Sequence, residues 1–299
     1  MINRRLIRTR VFLDLYSFFL SNQDYNKKDI NNLEKEFKFS LDSLNNLYYF
    51  LLFIIVSTFK HVDDYSLKSE LKFNKSNNAE LFSRLSNNSV IDYLNVDFLK
   101  HIDLNYIEKD KVNKIVSDIF NLIVKNNSVQ SSLKHDSNLE MDVEFLLLLF
   151  NNNFLKSQKL FSYIKDNNIY WDTDLSYVID HINKSVKNFV KSKKFNLKYV
   201  EEKDFNFSIK LINGFGSSNE KNYKILDSYS NNWDVERIAL IDKILIKLAL
   251  TEIFSFSDIP YKVSINEYIE ISKKFSTKKS HEFINGILDK IVHDFKINN

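Results

Sequence analysis

Arg4, Arg5 and Arg8 lie in a stretch whose apolar residues Ile7, Val11, Leu15 and Phe18 recur at helical spacing. At about 100° per residue the three guanidiniums fall within an arc of about 100°, with Arg10 pointing elsewhere. Guanidinium groups take phosphate oxygens in bidentate fashion, and each neutralised phosphate releases a counterion, so such a patch suits a polyanion. A solvated basic helix start is the other reading, although cations at a helix N-terminus oppose the macrodipole. A second group, Lys278 and Lys279, stands at the start of the last helical pattern, where Ser280 or Thr277 would be the N-cap. A phosphate docked there would meet exposed backbone N–H groups and both lysines, with His281 and Phe283 available to stack on a base. Phe283 also fits a core position.

Nothing in the spacing points to catalysis. The six histidines form neither HxxxH nor HExxH, no glycine-rich phosphate loop occurs, and Glu201-Glu202 reads as solvated surface. With 0 Cys there is no thiolate ligand, disulfide or cysteine nucleophile. The expectation is no catalytic residue, no metal and no cofactor.

The elements that must position these side chains read as helices. Residues 2–21 form one amphipathic pattern, 22–32 a polar loop, and helical patterning returns over 39–61, 79–103, 108–126, 139–166 and 174–191. A sharper series follows at 203–229 and 233–256, closed by Pro260, and then at 263–274 and 279–295. Gly286 sits inside the last of these at a cost of about 1 kcal/mol relative to Ala, which suggests close helix packing or, second, close approach of a nucleic acid.

Only 3 Gly and 1 Pro occur in 299 residues, too few for an all-β chain built on tight turns, while 44% hydrophobic residues supply a core. The net charge of +3 is small, so its placement matters more than its size. Arg4, Arg5, Arg8, Arg10 and Asp14 interrupt the first twenty residues, leaving no signal-like apolar run, and the longest apolar run, Tyr48 to Val56, falls well short of the roughly 20 residues that span a bilayer. A cytoplasmic location without membrane contact is expected.

Trp233–Glu252 (WDVERIALIDKILIKLALTE), Asp258-Ile259-Pro260, Ile265-Asn266-Glu267, Lys274-Phe275 and Phe283–Lys290 (FINGILDK) resemble, in order and spacing, the C-terminal half of the NusB family. Arg4-Arg5, Arg8 and Leu15-Tyr16 are similar to that family's arginine-rich first helix, and 203–229 to its central helix. The resemblance implies an all-α, NusB-like double helical bundle with a large helical insertion: the first helix in 1–25, the insertion in 26–202, the main part in 203–299. It implies binding of boxA-type single-stranded RNA together with the ribosomal protein NusE, in a complex that helps RNA polymerase resist termination on ribosomal RNA operons. By matching position, Arg4, Arg5, Arg8, Lys278, Lys279, Ser280 and Phe283 would approach the RNA, and Tyr16 and Asp242 would face NusE. Lys279 departs from an acidic residue in the best-known member, and a lysine there should attract phosphate. Two alternatives stand beside this reading: a protein-interaction scaffold with faded RNA binding, and the NusB-like part of an RNA cytosine methyltransferase, which the absence of cysteine opposes.

Overall fold

A computed structural model describes residues 4–21, 27–69, 78–97, 107–131, 138–195, 199–230 and 237–296. Among the described residues the elements are all helical: α1 (Arg4–Ser21), α2 (Lys27–Ser69), α3 (Ala79–Ser86), α4 (Ser89–Asp97), α5 (Lys109–Val124), α6 (Asn127–Ser131), α7 (Leu139–Asn152), α8 (Gln158–Asn167), α9 (Trp171–Ser192), α10 (Glu202–Tyr229), α11 (Leu240–Ser255), α12 (Tyr261–Phe275) and α13 (Ser280–Asp294), with a 3-10 turn at Phe154–Lys156.

The differences from the sequence pattern have local causes. The helix expected at 79–103 is two, because Asn88 is buried and its Oδ1 accepts from the backbone N–H groups of Val90 and Ile91 at 3.2 and 3.3 Å, starting a new helix. The one expected at 139–166 divides before α8, where Ser157 Oγ accepts from Leu160 N at 3.2 Å and donates to Asp118 at 2.7 Å. α2 begins at Lys27, inside the expected loop 22–32. Trp233 to Glu236, which open the family-like motif, lie outside the described residues.

The chain forms two compact units, one of Met1–Leu41 with Val200–Asn299, the other of Asp42–Tyr199. In the first, α11 is the central helix. Its Ile244, Leu245, Ile246, Leu248, Ala249 and Leu250 are buried on every side, and α1, α10, α12 and α13 pack around it. Ile7, Val11 and Phe12 from α1, Leu211 and Phe215 from α10, Tyr268 from α12, and Ile284, Leu288 and Ile291 from α13 complete this core. Each such side chain contributes about 1.5–3 kcal/mol by leaving water.

Close packing does explain a glycine here, but at Gly214 rather than Gly286. A Cβ at Gly214 would stand 2.9 Å from Thr251 Cγ2, where α10 crosses α11, whereas one at Gly286 meets nothing within 4 Å. Gly214→Ala is expected to destabilise by about 1–3 kcal/mol through overpacking, and Gly286→Ala to stabilise by up to about 1 kcal/mol through helix propensity. Urea melts of the two variants check this, and equal shifts would contradict the packing difference.

In the second unit, α2 runs through the core with Leu44, Leu47, Tyr48, Phe50, Leu52 and Ile54 at or near zero exposure. The Trp171 indole N–H donates to Ser43 O at 3.0 Å while its ring stacks on Phe50 with centroids 5.4 Å apart. Asp142 ties three helices, accepting from Arg84 Nη1 at 2.9 Å and from Ser89 N at 3.0 Å. The stretch Asn32–Val62 is long and apolar enough to cross a bilayer, yet 67% of its apolar window is buried within the protein, as befits a core helix.

Candidate nucleic-acid interface

The first unit carries the candidate site at two ends of α11. At the end near Glu252, the three arginines of α1 have different fates. Arg8 is 2% exposed, and its fork closes on Glu252 with Nε to Oε2 at 2.8 Å and Nη2 to Oε1 at 2.6 Å. The same carboxylate accepts from Ser264 Oγ at 2.6 Å and from Tyr268 Oη at 3.1 Å, so its oxygens are fully engaged. The acid and its hydrogen bonds raise the Arg8 pKa although burial opposes this, and burial beside Glu252 lifts the Tyr268 hydroxyl well above its usual range. Arg8 is therefore an internal strut between α1, α11 and α12, which corrects its expected place on an RNA-facing patch.

Arg5 makes a bidentate pair with Glu267 at 2.8 Å through both Nε and Nη2, with 40% of its side chain exposed. Arg10, expected to point away, is buried and donates to Ser40 O at 2.7 Å. Arg4 is exposed, with its Cζ 5.2 Å from the centre of the Phe207 ring. Beside it Phe207 meets Phe256 at 5.1 Å, and Lys210 Nζ lies 4.4 Å from the Phe256 ring centre.

The other end is built on Asp242. It is 6% exposed, and its two oxygens accept from Ser276 Oγ at 2.6 Å and Ser280 Oγ at 2.8 Å, which pins the turn between α12 and α13. Thr277 and Ser280 hydroxyls also meet at 2.8 Å. Ser280 is thus inside the turn rather than on the surface, and neither it nor Thr277 caps α13: Lys279 occupies the cap position with no side-chain cap bond. Lys278 and Lys279 are exposed. Lys279, Arg237, Ile238, Asp242, Ser280 and Phe283 line a cavity of about 360 Å³. Phe283 is half-buried on the wall of this cavity, while Ile284, Ile287, Leu288 and Ile291 fill the core side of α13. Arg237, a residue of the family-like motif whose charge no helical spacing links to Lys278 and Lys279, is exposed here. Its exposure beside Lys279 places a further cation at this end.

Glu252 and Asp242 are ten residues apart on one helix, so the arginine and lysine ends stand about 15 Å apart along α11. Between them Lys247 is nearly buried, its ammonium 5.7 Å from the Phe19 ring centre and 5.3 Å from that of Phe215. Burial, and next the charge of Lys243, push its pKa down to about 8. Tyr16 is half-buried on α1 and stacks on Phe12 with centroids 6.0 Å apart. Asp242, expected to face a partner, instead spends both oxygens within the chain. In the second unit a groove of about 520 Å³ between α5 and α8 carries Lys111, Lys114 and Lys159 against Glu108 and Asp166. Among the described residues no three His, Cys, Asp or Glu side chains gather as a metal site.

The sequence profile of the NusB family matches residues 158–293. The transcription antitermination protein NusB of Natranaerobius thermophilus is 41% identical over 97 residues, covering 31% of this chain and 69% of that protein. The chain belongs to the NusB family. The NusB of Geotalea daltonii is 42% identical over 92 residues, 31% of this chain and 63% of that protein. The NusB of Thermodesulfovibrio yellowstonii is 49% identical over 71 residues, 24% of this chain and 47% of that protein. The matched stretch thus spans about half to two thirds of these relatives. No solved structure matches the chain. The NusB profile begins in α8, within the stretch 26–202 expected to be an insertion, and runs through most of α13.

Proposed function

We propose that this NusB-family chain is a non-catalytic transcription antitermination factor of the cytoplasm. In this reading it binds boxA-type single-stranded RNA together with the ribosomal protein NusE and joins the RNA polymerase complex that transcribes ribosomal RNA. The unit of Met1–Leu41 and Val200–Asn299 would be the NusB-like core and the rest an insertion. The observation that carries the reading is the cavity beside α13. Lys279 and Arg237 offer charge to phosphates at its rim, and Phe283 offers a ring to an unstacked base. Lys278 adds an exposed cation next to it. The similarity to relatives that are transcription antitermination proteins NusB supports the same role. Asp242 and Ser280 act here by holding the turn that presents Lys278 and Lys279, and Tyr16 remains a residue offered to NusE.

The test is affinity for a boxA RNA oligonucleotide as a function of salt, with and without NusE. Each phosphate contact on a single strand steepens the log–log slope by about 0.7. A steep slope with preference for boxA and tighter binding with NusE is expected. A flat slope without preference would favour a protein-interaction scaffold. Lys279→Glu is expected to lower RNA affinity roughly tenfold, about 1.4 kcal/mol, while shifting stability by less than about 0.5 kcal/mol because the side chain is exposed. Equal losses in titration and melting would contradict this.

A further inference from the structure

We infer that Arg4 and Lys210 form a two-cation clamp for phosphates of single-stranded RNA, mounted on the Phe207–Phe256 ring pair, and that this clamp supplies the phosphate contacts at the arginine end. The inference rests on the RNA-binding reading above and concerns which side chains perform it.

Four cations gather at this end, and their partners sort them. Arg8 is buried against Glu252 and Arg5 is clasped by both oxygens of Glu267, so a phosphate would have to displace a carboxylate to reach either. Arg4 and Lys210 are exposed, and among the described residues neither has a carboxylate within ion-pair distance. What holds them is aromatic. Arg4 Cζ lies 5.2 Å from the Phe207 ring centre and Lys210 Nζ 4.4 Å from that of Phe256. The two rings pack edge to face at 61°, and both are buried.

A ring face attracts a cation through its quadrupole without neutralising it, so each side chain keeps its full positive charge. The rings are fixed by the core, so the cations are partly immobilised before RNA arrives and lose less side-chain entropy on binding. Lys210 belongs to α10 and Arg4 to α1, and the packing of the first unit seats them on the neighbouring Phe256 and Phe207 rings. No sequence spacing reveals that pairing.

The experiment measures binding of a fluorescently labelled boxA single-stranded RNA across a salt series. Lys210→Gln and Arg4→Gln keep much of the stem but remove the charge, and each is expected to reduce the slope by about 0.7 while leaving the melting curve in place. Lys210→Arg should restore the slope. Arg5→Gln should change it by much less, because its charge is already spent on Glu267. A wild-type slope in Lys210→Gln overturns the clamp and leaves the RNA reading standing. A flat slope in the unsubstituted chain overturns the RNA reading itself, and the clamp with it.

Discussion

Arg8→Met should cost about 3–5 kcal/mol of stability, a loss too large for an RNA-contacting surface arginine. The cause is what remains behind. Glu252 would stay in the interior with two hydroxyl donors, Ser264 and Tyr268, but with no opposing charge. A buried carboxylate without its cation is far costlier than the pair is beneficial. Arg8→Lys should recover only part of the loss, since an ammonium cannot reproduce the two parallel bonds of the guanidinium fork. The double variant Arg8→Met with Glu252→Leu should recover more, because it removes the stranded charge together with its partner. Urea melts of the three variants read these outcomes. If Arg8→Met melted like the unsubstituted chain and lost only RNA affinity, the internal strut would be refuted.

In the first unit α13 is the most legible helix, because Ile284, Ile287, Leu288 and Ile291 keep one buried face, whereas α1 is buried all round from Leu6 to Phe12. Arg4, Arg5 and Arg8 share one arc of α1 by helix geometry. Helix geometry does not show that Arg5 and Arg8 close on carboxylates while Arg4 and Arg8 share the Phe207 ring, because the deciding residues, Glu252, Glu267 and Phe207, lie far away in sequence. Asp242 and Ser280 were picked out by matching position, yet their link across α11 and the α12–α13 turn is a tertiary fact. The breaks before α4 and α8 were hidden for a different reason. Asn88 and Ser157 look like ordinary polar residues in a chain rich in them, and only their backbone hydrogen bonds reveal them as helix starts.

Asp14 gives the other large expected effect, with a sign that pH can read. It lies on α1 with Oδ2 shielded from solvent and without a hydrogen-bond partner. Burial pushes its pKa up from 3.8 to about 7, with Arg10 opposing the rise and Glu36 adding to it. Below the unfolded value of 3.8 both states hold the proton and the group has no effect on stability. As pH climbs toward about 7 the unfolded chain releases its proton while the folded chain keeps it, so stability falls through this window and levels off above it. The loss amounts to something on the order of 4 kcal/mol, at 1.36 kcal/mol per unit. Asp14→Asn stays neutral throughout, so it should remove this slope and make the protein more stable than the unsubstituted chain at pH 8. Glu36→Gln should move the upper end of the window toward lower pH by withdrawing a repelling charge. The quantity to follow is the stability difference between Asp14→Asn and the unsubstituted chain. A difference constant from pH 4 to 8 would mean that Asp14 finds in the folded protein the solvation it has in water.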